Sequence, residues 1–217
     1  MRTATTAEET ARLVPDGASV MVGGFLGVGT PERLIDALVA RGARGLTVIA
    51  NDTARPGLGI GKLIDAGCVA RAVVSHIGTN PVTQRKMLRG ELDVELVPQG
   101  TLAERIRAAG AGLGGVLTAT GIGTVVAEGK RVVEVEGKEY LLEPPLRADV
   151  ALVHAHEADH FFNLTYRLTA TNFNPLIALA ADRVIAEAEE VVPIGVIPPD
   201  EVRTSGILVD HLVERRR

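Results

Sequence analysis

Residues 18–42 constrain the fold most tightly, because they read as one strand, one glycine-rich turn and one helix in immediate succession. Residues 18–22 (Ala-Ser-Val-Met-Val) form a short apolar run suited to a buried strand. Gly23, Gly24, Gly27 and Gly29 follow, and the turn they make delivers Thr30 as a helix cap and Pro31 as the first helical residue. Leu34, Ile35, Leu38 and Val39 then share one helical face, and Gly42 stops the helix. A strand that turns straight into an amphipathic helix is the unit from which parallel sheets with helical crossovers are built.

The rest of the chain extends that pattern. Further apolar runs at 46–50, 72–75 and 94–97 are separated by polar or helical stretches, as parallel strands with crossovers require. Ahead of them, Thr6 and Glu9 stand at capping-box spacing for a short helix over 7–13, stopped by Pro15-Asp16-Gly17. Thr101 and Glu104 repeat that spacing before a helix whose face is Leu102, Ile106 and Ala109. From 124 onward the texture changes. Strand-like runs at 124–127, 131–135 and 139–142 are divided by Gly129-Lys130 and Gly137-Lys138, which read as two hairpins. A strand at 150–153, a helix at 175–181 and a strand at 183–186 close the chain. No linker, low-complexity tract or solenoid repeat interrupts it. The expectation is one α/β domain over residues 1–217: a mostly parallel sheet flanked by helices, with an antiparallel hairpin elaboration.

Composition removes several functional classes. A net charge of −4, with arginines scattered except for Arg215, Arg216 and Arg217, offers no basic face for phosphates, so nucleic acid is not expected as a partner. Aromatic residues at 3% and the absence of Trp argue against stacking platforms for bases. The single cysteine, Cys68, cannot form an internal disulfide and sits among small residues suited to burial. The N-terminus is acidic within ten residues and has no apolar run, unlike a signal or transit peptide. No stretch reaches the roughly 18 uninterrupted apolar residues of a membrane span. A cytoplasmic location, without membrane attachment, is expected.

The glycine turn between strand and helix is the arrangement by which backbone N–H groups face an anion, although glycines also permit tight turns with no ligand. Gly24, Leu26 and Gly29 miss the dinucleotide pattern at its second glycine. Gly110, Gly112 and Gly115 fit that pattern formally but follow a helix instead of a strand. Gly57-Leu-Gly-Ile-Gly-Lys-Leu lacks a glycine at Pro56 and a hydroxyl at Leu63, so it is no phosphate-binding loop. His154 and His156 would share a strand face and His156 and His160 a helical one, with Asp159 between; both periods cannot hold, and a polar strand end is favoured over a metal site. Asn51-Asp52 and Gln99 each follow a strand candidate. Carboxyl ends of parallel strands are where open sheets place ligands, and an amide there can donate to a thioester oxygen as it becomes an oxyanion. Turn formation by Asn51 and solvation of Gln99 remain the alternative.

Many separated blocks in one order carry a resemblance to a known family. Met21-Val-Gly-Gly-Phe, Thr30-Pro-Glu-Arg-Leu-Ile-Asp-Ala-Leu, Leu46-Thr-Val-Ile-Ala-Asn-Asp-Thr, Ser75-His-Ile-Gly-Thr-Asn-Pro, Pro98-Gln-Gly-Thr-Leu, Gly110-Ala-Gly-Leu-Gly-Gly, Thr120-Gly-Ile-Gly-Thr and Asn172-Phe-Asn-Pro-Leu together resemble the A subunit of a family I coenzyme A transferase. The likeness runs over about residues 6–212. It implies a reversible transfer of CoA between a short-chain acyl-CoA and a free carboxylate such as acetate, butyrate or a 3-oxoacid. CoA is then a substrate, and no metal or redox cofactor is implied. The resemblance also implies a separate B subunit carrying the glutamate that becomes a glutamyl-CoA thioester, and a heterotetramer or larger assembly.

By the same resemblance Asn51 and Gln99 fall on positions lining the reacting centre, and Gly23, Gly24 and Phe25 on the glycine motif beside it. The Glu-Gly pairs of this chain, Glu128-Gly129 and Glu136-Gly137, fall in expected hairpin turns, so the nucleophile is expected elsewhere. The chain departs from the family at Val116, Ala119, Phe162 and Thr171, where Phe, Pro, Gly and Arg are frequent. Two other classes stand beside this reading: a ligand-sensing or scaffold domain of the same fold, and a sugar-phosphate isomerase, which would need an acid–base carboxylate pair and a basic phosphate grip.

Overall fold

In the computed structural model, residues 4–214 are described; residues 215–217, with the arginine cluster, and residues 1–3 lie outside them. Chain order runs α1 (Ala7–Ala11), β1 (Ser19–Val22), α2 (Glu32–Arg41), β2 (Leu46–Asp52), α3 (Ile60–Asp65), β3 (Val69–His76), α4 (Pro81–Leu88), β4 (Asp93–Leu96) and α5 (Gln99–Gly110). Then come β5 (Val116–Thr118), β6 (Val132–Val135), β7 (Lys138–Glu143), β8 (Ala148–Asp159), β9 (Leu164–Thr165), α6 (Asn174–Ile177), β10 (Ala181–Val192) and β11 (His211–Glu214).

The main sheet has the order β11-β10-β8-β1-β2-β3-β4, and every neighbouring pair along it is parallel. β9 adds antiparallel to β8. Alternation along the central strands divides the core into two layers. Val20, Val22, Val48 and Ala50 pack with α1–α4 on one face, while Met21, Ile49, Val73 and Val153 pack with α5 and α6 on the other. Because the strands are parallel, their carboxyl ends share one edge, and that edge carries the turns into α2, α3, α4 and α5. The architecture is the expected α/β sheet with an antiparallel elaboration. No helix among the described residues is long and apolar enough to cross a membrane.

Local differences from the sequence reading have physical causes. The capping box at Thr6 and Glu9 forms as expected. The helix cap expected from Thr30 does not form: α2 begins after Pro31 with no side-chain cap of its own. Its first N–H groups are met from across the sheet, where the buried Glu187 carboxylate accepts from Arg33 N at 2.9 Å and Leu34 N at 3.0 Å. Burial raises the Glu187 carboxyl above the ordinary glutamate value, against the opposing pull of those two N–H groups. The capping box at Thr101 also fails. Pro98 directs the chain into α5 at Gln99, so Thr101 lies inside the first turn with its hydroxyl buried. Residues 124–127 are a 3₁₀ turn (Val125–Ala127) instead of a strand, because the Thr124 hydroxyl accepts from Val126 N and closes the backbone locally. The strand beside β7 is therefore β5, and Gly129-Lys130 joins no hairpin; only Glu136-Gly137 does, between β6 and β7. The helix expected over 175–181 shrinks to the single turn of α6, since Ala181 already begins β10.

Phe162 is the most informative departure. It is 2% exposed and holds φ at +69°, a left-handed conformation that suits glycine far better than an aromatic residue. Packing of the ring in the second core layer offsets backbone strain. Phe162→Ala should lower unfolding stability by about 3 kcal/mol through the cavity it leaves, while Phe162→Gly should recover about 1 kcal/mol of that by relaxing the backbone. Urea denaturation of the two variants should find the Gly form at least as stable as the Ala form. The usual order, Gly below Ala, would contradict the strain.

A candidate half-site at the carboxyl edge of the sheet

Two sequence blocks that lie far apart form one piece of structure at the carboxyl edge. The turn after β1 is clamped by the two asparagines of the Asn-Phe-Asn block. Asn172 Oδ1 accepts from Gly24 N at 3.0 Å, 148 residues away in sequence, and its Nδ2 donates to Val28 O at 3.0 Å. Asn174 is fully buried; its Nδ2 donates to Gly29 O and Ala170 O, and its Oδ1 accepts from His154 N at 2.9 Å. This clamp requires glycine at 23 and 24. A Cβ on Gly23 would stand 1.8 Å from Asn174 Oδ1, and one on Gly24 would stand 2.0 Å from Thr30 Oγ1, where φ is also +124°.

Asp52 ties the same turn to β2. Its Oδ2 accepts from Leu26 N at 3.0 Å and from Asn51 Nδ2 at 2.7 Å, and its Oδ1 accepts from Ala54 N at 2.7 Å. Asn51 Oδ1 in turn accepts from Gln99 Nε2 at 2.6 Å, and Ser75 of the intervening β3 donates to Asn51 O at 2.7 Å. The edge thus carries a continuous line of hydrogen bonds: Gln99 at the start of α5, Asn51 and Asp52 at the end of β2, Leu26 in the glycine turn. Asn51 is 2% exposed and lies beneath Gln99, which is open to solvent. All five residues expected at the site therefore meet on one edge, although Gln99 opens a helix instead of ending a strand. The N–H groups of Gly23, Gly24 and Phe25 are already accepted by Leu152 O, Asn172 Oδ1 and Val28 O. In this arrangement the donors that can serve a ligand are the side-chain amides, and the glycines serve close packing.

Asp52 as an anchor, Ser75, and Glu187 under α2 hold this edge without any motif of their own in the sequence. One missed signal is a short internal echo. The turn after β2 copies the turn after β1, with antiparallel bridges Phe25–Val28 and Arg55–Leu58 and matching Gly27-Val28-Gly29 and Gly57-Leu58-Gly59.

The histidines lie inside a strand and not at its end, because β8 continues to Asp159. His154 and His156 lie at alternate positions of β8 and both reach Glu189 of β10, at 3.2 and 2.9 Å. Burial pushes the Glu189 carboxyl up, but the bonds from His156 and His154 outweigh it and hold it below its ordinary value. Asp159 instead organises a turn by accepting from Phe161 N and Asn163 N. Among the described residues no group of three or more His, Cys, Asp or Glu side chains is placed to hold a metal ion. A cavity of about 190 Å³ lies beside the α2 N-terminus, lined by Thr30, Arg33, His154, Glu187 and Glu189; Asn51 and Gln99 do not line it. Cys68 is buried, which pushes its thiol pKa above the ordinary cysteine value. Glu128 and Glu136 are exposed on the segment bearing the small antiparallel sheet. The Thr171 hydroxyl donates to Leu168 O and closes the turn that precedes Asn172.

Comparison with known proteins agrees with this geometry. The coenzyme A transferase family model matches residues 3–215. The acetate CoA-transferase subunit alpha of Escherichia coli K12 is 58% identical over 198 residues, covering 91% of this chain and 90% of the relative. The acetoacetyl-CoA:acetate/butyrate CoA transferase alpha subunit of Clostridium acetobutylicum is 50% identical, covering 92% and 91%. Among solved structures, an acyl-CoA transferase from Escherichia coli O157:H7, in a thioester complex with CoA, superimposes with a TM-score of 0.88 at 26% identity. That match covers 98% of this chain but 47% of the solved chain, so this chain spans about half its length.

The close approach of Gly23 to Asn174 has a direct consequence. Gly23→Ala should lower unfolding stability by about 2 kcal/mol through overpacking, measured by chemical denaturation. An unchanged midpoint would mean that the clamp yields freely.

Proposed function

The chain belongs to the coenzyme A transferase family, as an A-type subunit, and we propose that it supplies one half of an active site that moves CoA between a short-chain acyl-CoA and a free carboxylate. The observation that carries this reading is the Gln99–Asn51 amide pair, held at 2.6 Å on the carboxyl edge and backed by Asp52. Two neutral amides suit a reaction in which a thioester oxygen gains negative charge, because they stabilise it without the desolvation cost of a buried cation.

In this reading the partner B subunit brings a glutamate to that edge. Its carboxylate takes CoA from the acyl-CoA as a glutamyl thioester and releases the acyl group as its carboxylate; the acceptor carboxylate then takes CoA from the glutamate. Covalent catalysis of this kind divides one exchange into two matched halves, each passing through an oxyanion. Asn51 and Gln99 orient the carboxylate and the thioester oxygen in both. Exposed apolar side chains on the neighbouring turns, Phe25, Val28, Leu58 and Leu168, give a partner subunit a surface to cover, and covering it would keep water from the intermediate. The E. coli and Clostridium relatives carry acetate, butyrate and acetoacetyl-CoA in their names, which supports short acyl groups for this chain. An assembly of A and B subunits as a heterotetramer or larger, working in the cytoplasm, completes the proposal.

The test is CoA exchange between acetyl-CoA and acetoacetate or butyrate, with this chain alone and with its B subunit. Activity only in the mixture is expected. In that mixture Asn51→Ala or Gln99→Ala should lower kcat by about a hundred-fold. Exchange by this chain alone, or full activity in both variants, would overturn the reading.

A further inference from the structure

We infer that Asp52 is a positioning residue that fixes the polarity of the Asn51–Gln99 amide pair, so that Gln99, at the exposed end, is held through its NH₂ group in one direction. The inference rests on the CoA-transfer reading for its consequence but on geometry alone for its cause.

An amide side chain has two faces of opposite character, and Asn51 could in principle present either one to Gln99. A carboxylate removes that freedom because it only accepts. Asp52 is itself unable to turn away. Its Oδ1 is held by Ala54 N at 2.7 Å and its Oδ2 by Leu26 N at 3.0 Å, two backbone donors from turns on either side of it. The Oδ2 atom also receives Asn51 Nδ2 at 2.7 Å. With Nδ2 committed to Asp52, Asn51 Oδ1 must face the other way, where it accepts from Gln99 Nε2 at 2.6 Å.

Reversing Asn51 would set its oxygen against the buried Asp52 carboxylate and its NH₂ against the Gln99 NH₂, two like-with-like contacts of which the first is buried. The polarity set at Asp52 therefore passes through Asn51 to Gln99. Each of the two NH₂ groups keeps a second hydrogen beyond the bond it makes in this line. An oxyanion needs donors already aimed at it. A reversed pair would engage the Gln99 carbonyl instead and leave its NH₂ without a fixed direction. Ser75 supports the arrangement by donating to Asn51 O, which steadies the backbone from which the side chain projects.

Asp52→Asn keeps the shape but cannot accept at both ends, so Asn51 is no longer obliged to point its NH₂ one way. Two measurements decide the matter. In the full chain labelled with ¹⁵N at Asn and Gln, the Asn51 carboxamide should show one solvent-protected proton that disappears in Asp52→Asn, with the Gln99 signals moving as well. Unchanged Asn51 and Gln99 signals would overturn the inference, whatever the activity.

In the complex with the B subunit, Asp52→Asn should lower kcat by about ten-fold. Combining it with Asn51→Ala should cost no more than Asn51→Ala alone, because both changes remove the same contribution. Losses that simply multiply would show that Asp52 acts by anchoring the Leu26 and Ala54 turns instead, and would overturn the inference. No CoA exchange in the unmodified complex would tell against the proposed function, and the amide signals would still decide the role of Asp52.

Discussion

The buried Asn174 side chain, seated against the bare backbone of Gly23, is the contact on which the arrangement of the carboxyl edge depends. It brings the short helix α6 against the end of β1, and it bonds both the turn after β1, through Gly29 O, and the extended β8, through His154 N. Such an approach is open only to glycine, since a Cβ at 23 would overlap the amide oxygen. With Asn172 holding Gly24 N and Val28 O, the turn has little freedom left, and Leu26 N is presented to Asp52. Order then passes along hydrogen bonds to Asn51 and Gln99. A site built this way is organised before any ligand arrives, which is the condition under which donors are worth most to a developing charge.

The same edge supports the proposed division of the active site between two chains. The amides are set, yet the glutamates that directly precede a glycine, Glu128 and Glu136, lie exposed on the small antiparallel sheet segment, and buried Glu187 is occupied with the N-terminus of α2. Exposed Phe25, Val28, Leu58 and Leu168 surround the turns as surface that water covers poorly. A solved relative of the same fold has a chain about twice as long as the part matched here, so that a single polypeptide can hold more than this half.

Much of the fold was legible because parallel strands buried on both faces must be short apolar runs, and β1, β2, β3, β8 and β10 all overlap runs of that kind, while the edge strand β4 overlaps one without being buried. Where other physics competes, the pattern misleads. Residues 124–127 are apolar enough for a strand, but the Thr124 hydroxyl satisfies the backbone locally and a 3₁₀ turn results. Thr30 and Thr101 have cap chemistry, yet prolines one and three residues away set where α2 and α5 begin, and both hydroxyls are buried inside the structure. Of the site, Gln99, Asn51 and the glycines were legible as motifs with a resemblance behind them. Their joining was not. The bond from Gly24 to Asn172 spans 148 residues, and nothing in either segment announces the other. Asp52 was visible beside Asn51 but not as an anchor, because its backbone partners at Leu26 and Ala54 are defined only once the turns are folded.

In the proposed enzyme this chain aims donors at an oxyanion while another chain carries the nucleophile. The most direct measurement is to incubate the assembled enzyme with acetyl-CoA, reduce any glutamyl thioester with borohydride, and locate the modified residue by peptide mass mapping. A reduced glutamate is expected on the B subunit and none on this chain. A reduced glutamate at any position of this chain, Glu128, Glu136 and Glu187 included, would contradict it.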